Sequence, residues 1–281
     1  MELIAVYSPE SPLKQPFKIV REIFRDIVAS RELIWILFTR DLKAQYRQSY
    51  FGYIWLFVPV ISTTLVWMFL NSTRVIQVAE TPIPYPAYVL LGSMIWGLFT
   101  ASVNQPLGSF TAAKSVLMKL KVAPEVFVLA GLSRIVFELA IRLVVVIPIL
   151  WLTDIPIAPT FWLFPIGLLS VCTCGLAIGM LILPIGSLYG DVIRFVGTGL
   201  SFGMYITPVV YPPPSTGWAA NIVNANPMTA MVVTTRDWLT LGHSPLAVQA
   251  MITAMISVAV LMLGLIMLRI SLPHIVERMG M

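Results

Sequence analysis

Arg134, Glu138 and Arg142 stand four residues apart in a stretch, residues 126–153, that holds no other charge. At helical spacing the three share a face and can form a ladder of ion pairs, guanidinium to carboxylate to guanidinium. Each such charge at the centre of a bilayer costs about 2.5–3.5 kcal/mol on insertion scales, so this face must meet protein or water. Two uses stay open: a structural ion-pair network, or a contact with a solute or gate. A second cationic set, Arg40, Lys43 and Arg47, opens "RDLKAQYRQSYFGYIW", residues 40–55, and runs without loop residues into a cluster of rings. Taken alone it could rim a nucleic-acid site. Beside an apolar helix it reads as a membrane entry, with cations near one side facing phosphate headgroups and Asp41 and Gln45 toward another.

Catalytic residues are hard to find. The chain has no GxxxxGK[ST], HExxH or GxSxG sequence, and His243 and His274 stand far apart. Cys172 and Cys174 lie in a long apolar run, where small packing residues are the simpler reading than metal ligands or a disulfide. The expectation is no catalytic residue, no metal and no nucleotide hydrolysis by this chain. If it moves cargo against a gradient, a separate subunit must supply the energy.

The elements that position these residues follow from composition. Of 281 residues, 58% are hydrophobic and 11% charged, with a mean hydropathy of +0.88, against roughly 25% charged in soluble domains. The net charge of +5 is local, since eight of the eighteen Lys and Arg fall between Lys14 and Arg47. A membrane protein that binds lipid, and no nucleic acid, is the expectation.

Residues 1–17 read as a proline-broken tail. Residues 18–35 have apolar positions at three- and four-residue spacing among charges and read as an amphipathic helix, lying on a membrane interface or against protein. A helix needs about 20 residues to cross the hydrocarbon layer. Uncharged or nearly uncharged runs then predict six spans, near 51–70, 87–105, 126–153, 160–184, 195–211 and 246–268. The basic residues cluster on the side of both termini, which places the termini in the cytoplasm. "TPVVYPPPS" must break a helix, yet the apolar stretch after it returns toward the membrane, so residues 207–245 predict a pair of half-inserted or interface-lying helices at the outer face. The fold class is thus all-α and integral to the membrane, divided as a tail and interface helix (1–35), a six-span domain (36–271) and a cytoplasmic tail (272–281).

Rings crowd the spans. Each reads as an interface anchor or packing residue, or as part of a stack lining a path, on which sugar C–H faces slide. Small-xxx-small pairs at Gly175 and Gly179, Gly186 and Gly190, and Gly199 and Gly203 allow close helix contact.

Distributed motifs now add a resemblance: "RDLKAQYRQSYFGYIW" followed by "PVISTTLVW" at 40–67, "PYPAYVLLGSMIWGLF" at 84–99, "SFTAAKSVLMKLKVAPEVF" at 109–127, "YGDVIRF" at 189–195, "YITPVVYP" at 205–212 and "NPMT" at 226–229. In type and order this resembles the permease subunit of ATP-binding-cassette exporters that secrete O-antigen, capsule or teichoic-acid polysaccharides. The resemblance implies ATP-driven export of a lipid-linked polysaccharide across the bacterial inner membrane by a homodimer above two cytoplasmic ATPase subunits, with ATP and magnesium held by those subunits and no cofactor in this chain. It implies path-lining rings at Tyr53, Trp55, Trp67, Tyr88, Trp96, Phe99 and Tyr205, and a coupling helix at 108–124 with Lys114, Lys119, Lys121 and Pro124. On the same likeness, lipid pyrophosphate meets Arg40 or Arg47 at the cytoplasmic mouth. Two departures stand out: the extension before Lys18 is long, and Ala123-Pro124 replaces a Phe-Pro pair. An exporter of small drugs or lipids is the alternative on the same architecture.

Overall fold

A computed structural model describes residues 25, 31–46, 54–55, 57–76, 78–117, 125–152 and 154–279. Among them the regular structure is helical: α1 (Arg31–Tyr46), α2 (Val58–Ser72), α3 (Tyr85–Leu117), α4 (Glu125–Leu152), a 3-10 turn at Phe161–Leu163, α5 (Phe164–Gly186), α6 (Gly190–Ile206), α7 (Trp218–Ala225), α8 (Pro227–Thr240) and α9 (Ala247–Met279). Among the described residues three segments are long and apolar enough to cross a membrane: Tyr85–Thr111, Phe161–Gly186 and Ala247–Ser271, with Val58–Ser72 a shorter apolar helix. The all-α, multi-helix character is as expected.

α5 is the central element, packed between α3 and α9. Its contact with α3 is a glycine seam. A Cβ at Gly175 would lie 2.6 Å from Ser102 Cβ and 2.7 Å from the Phe99 carbonyl oxygen, and one at Gly179 would overlap the Val103 carbonyl oxygen and sit 3.1 Å from Pro106 Cγ. Bare backbone faces bare backbone here, the close approach that small residues permit. The pair at Gly175 and Gly179 therefore makes the contact its spacing predicts, whereas no atom approaches within 4 Å of a Cβ built at Gly190 or Gly199. On the other side, α9 buries Ala250, Ser257, Gly264 and Leu268, and Gly264 rests against Met180 of α5. Steps of seven, seven and four residues keep one narrow stripe turned inward. The opposite face of α9 leaves Val248, Ile252, Met255 and Ile256 more than half exposed, an apolar exterior that hydrocarbon solvates and water does not.

α3 packs also on α4 and α2, and α1 packs on α4. α2 and α4 close alike: Arg74 and Asp154 adopt left-handed backbone, φ 55° and 49°, while the Ile76 and Ile155 N–H groups donate back to Leu70 and Leu150 carbonyls, each at 3.3 Å. This wraps the last turn and satisfies carbonyls that the helix end would orphan.

Several expected boundaries move. α2 starts at Val58, seven residues after the expected start of the first span, because Pro59 occupies the first turn, where its missing N–H costs nothing. α3 runs 33 residues, past the expected end at 105 and through Pro106, so residues 108–117, including Lys114, continue the same helix. Proline is tolerated there because the Gly179 surface leaves space for its ring. α6 begins at Gly190 and ends at Ile206, earlier at both ends than 195–211. Residues 218–240 form two successive helices, so a plain loop is excluded. The 35/36 domain boundary falls inside α1, and most of the expected 18–35 helix lies outside the described residues.

Candidate functional site

Among the described residues two buried clusters of charge stand out in this apolar body. The first is the α4 ladder. Arg134 Nε is 3.5 Å from Glu138 Oε1, and Arg142 Nη2 is 3.8 Å from Glu138 Oε2. Arg142 Nη1 also donates to the Met94 carbonyl of α3 at 2.7 Å. Glu138 and Arg142 are buried, so the inner rung ties α4 to α3 with a charge-assisted hydrogen bond.

The second cluster centres on Arg236, 2% exposed and the largest fully buried side chain among the described residues. Its guanidinium carbon lies 3.5 Å from the Tyr88 ring centroid, Nη2 donates to Tyr88 Oη at 2.5 Å and Nη1 to the Val209 carbonyl at 3.4 Å. Tyr88 in turn donates its hydroxyl to the Tyr211 carbonyl at 3.1 Å, and Tyr211 donates to the Tyr205 carbonyl at 2.8 Å. A planar cation that stacks and forks at once is the arrangement arginine makes and lysine does not. The bonds hold the turning 207–211 segment between α3 and α8. Gly92 of α3 makes room: a Cβ there would strike the Val209 carbonyl.

The "NPMT" motif supplies the start of α8. Asn226 Oδ1 accepts the Met228 N–H at 3.0 Å, and Pro227 follows in the first turn, a pairing that favours helix initiation by about 1 kcal/mol over an uncapped start. Asn226 Nδ2 also donates to Thr207 Oγ1 at 2.8 Å. At the far end Thr160 Oγ1 donates to the Trp238 carbonyl at 2.9 Å. α8 is buried along nearly its whole length, and every exit of the 207–240 segment is pinned to the bundle.

The rings nominated by sequence separate into two groups. Trp55 and Tyr205 are exposed, at 56% and 59%, and Trp67 is half-buried with its ring 6.5 Å from that of Tyr205. Tyr88, Trp96 and Phe99 are 1%, 7% and 3% exposed. Trp96 packs on Phe99 at 5.1 Å, and Tyr88 belongs to the Arg236 cluster, so these three pack inside the protomer. Tyr53 lies outside the described residues, as do Arg47, Lys119, Lys121 and Pro124; Lys114 is placed only as part of α3. Arg40 and Lys43 are exposed on α1.

Arg236 is not among the residues that sequence reasoning singled out. The available signal was its setting: one cation inside the apolar run "MTAMVVTTRDWL" must be buried with partners if the run is helical and packed.

The ABC-2 type transporter family matches residues 32–240. Among curated relatives, an O-antigen export system permease protein RfbA of Klebsiella pneumoniae is 24% identical over 212 residues, covering 73% of this chain and 79% of the relative. One of the same description from Myxococcus xanthus is 28% identical over 203 residues, covering 69% and 72%. The family match takes in both polar clusters and α1 to α8, well over half of the sequence: the chain belongs to the ABC-2 type transporter family.

Proposed function

We propose that this chain is the channel-forming permease of an ATP-binding-cassette exporter that moves lipid-linked polysaccharide across the bacterial inner membrane. The observation that carries this reading is the likeness to O-antigen export permeases over about 70% of the chain, set on long helices with apolar exteriors. In this reading the three long apolar helices, with α2, α4 and α6, make six spans with both termini in the cytoplasm. α7 and α8 are the outer half-inserted pair. Two copies enclose the path, and two ATPase subunits, carrying ATP and magnesium, bind beneath.

The exposed rings Trp55 and Tyr205, with Trp67 beside the latter, are the path surface the protomer offers, with Tyr53 beyond the described residues and Tyr88, Trp96 and Phe99 bracing the wall from behind. Aromatic faces with few charges hold a glycan weakly enough for it to slide. Arg40, Lys43 and Arg47 meet lipid headgroups or pyrophosphate at the mouth.

Deleting the gene is expected to leave lipid-linked glycan inside the cell and strip it from the surface. Normal surface glycan with no accumulated precursor sinks the proposal, and altered drug resistance with unchanged glycan replaces it with small-molecule export. Coupling is placed at 108–124: charge reversal of Lys114, Lys119 and Lys121 together is expected to abolish co-purification of the ATPase, and undiminished co-purification removes the role.

A further inference from the structure

Two guanidiniums share one carboxylate in the α4 ladder, and they share it unequally. Arg142 is buried, faces Glu138 and also donates to Met94. Arg134 touches Glu138 through Nε at 3.5 Å, its side chain is 38% exposed, and Glu138 is its one ion-pair partner among the described residues. Three charges leave one positive charge over, and the exposed end of the ladder carries it. Three residues along the same face, Phe137 meets Phe38 of α1 at 6.3 Å; Phe38 meets Trp35 at 5.5 Å, and Trp35 is 65% exposed. Trp35 also borders a shallow open hollow with Arg31, Glu32 and Ile36.

A surplus guanidinium on an apolar helix, one turn from a ring that packs on α1, matches the two ends of a lipid. The N–H edge that Glu138 leaves unused can fork onto phosphate oxygens, and the rings can pack the first carbons of a chain. A soluble anion would use the first and not the second. We propose that Arg134, with the α1–α4 ring corner, binds the phosphate or pyrophosphate of a membrane-anchored lipid. This rests on the membrane placement of α4 proposed above and not on the identity of the exported cargo.

The test is native mass spectrometry of the full-length chain in mixed detergent and phosphatidylcholine micelles, titrated separately with phosphatidylglycerol and with decaprenyl pyrophosphate. R134Q is expected to weaken at least one probe about tenfold, with R134K intermediate, because an ammonium keeps the charge but cannot fork. Loss with phosphatidylglycerol alone names a bilayer lipid, loss with the pyrophosphate alone names the cargo carrier, and loss with both names the shared phosphate chemistry. E138Q removes the competing carboxylate and is expected to tighten binding about threefold. Equal affinity of R134Q and wild type for both probes overturns the site. If R134Q does not fold, E138Q decides, and binding no tighter than wild type overturns it. A deletion strain with normal surface glycan would end the export reading and leave this binding result standing.

Discussion

Replacing Arg236 by alanine is expected to destabilise the chain by about 3 kcal/mol, because it removes charge-assisted hydrogen bonds and leaves a cavity under Tyr88. The Val209 carbonyl loses a donor, and the 207–211 segment keeps only the Asn226–Thr207 bond to the start of α8. Y88F deletes only the hydroxyl, which accepts from Arg236 and donates to Tyr211, and is expected to cost about 2 kcal/mol. The two residues touch, so the double variant should cost less than the sum by about 1 kcal/mol or more. R236K is expected to behave nearer to alanine than to arginine, since an ammonium cannot stack and fork together. Thermal unfolding in micelles measures all four, and exported glycan in cells reports whether the loosened outer segment still works. Simple additivity in the cycle would show that the two side chains act separately.

Introducing leucine at Gly179 is expected to abolish folded protein. Overpacking a core normally costs about 1–3 kcal/mol, but here even the first added carbon overlaps the Val103 carbonyl, and backbone of a long helix has no rotamer to yield. The comparison is Gly199→Ala, where nothing in the protomer lies within 4 Å; it is expected to stay within about 1 kcal/mol of wild type. Size-exclusion yield and unfolding midpoint distinguish the two. A folded, dimer-sized G179L protein would refute the close α3–α5 contact.

The long apolar helices were legible from uncharged runs, since burial in lipid or core leaves few other compositions possible. What charge counting missed was punctuation by proline. Pro59 delays α2 at its first turn, while Pro106 interrupts nothing, because the surrounding bundle decides which prolines a helix can absorb. The ladder was legible because its members lie one turn apart. The Arg236 cluster was not: its partner Tyr88 lies 148 residues away, and no local spacing encodes which ring a distant helix will present. The same blindness separates the nominated rings, since Trp55 and Trp96 read alike in sequence yet differ in exposure, 56% against 7%.

The unbroken course of α3 has a mechanical consequence. At 33 residues it is about 50 Å long, roughly 20 Å more than the hydrocarbon it crosses. In the proposed orientation its Leu117 end stands out toward the ATPase while Tyr88, near the other end, is locked to Arg236. The glycine seam with α5 lies between and acts as a fulcrum. Tilting such a lever by about 10° displaces each end by about 4 Å in opposite senses, so a push delivered below would arrive above as a movement of the outer closure.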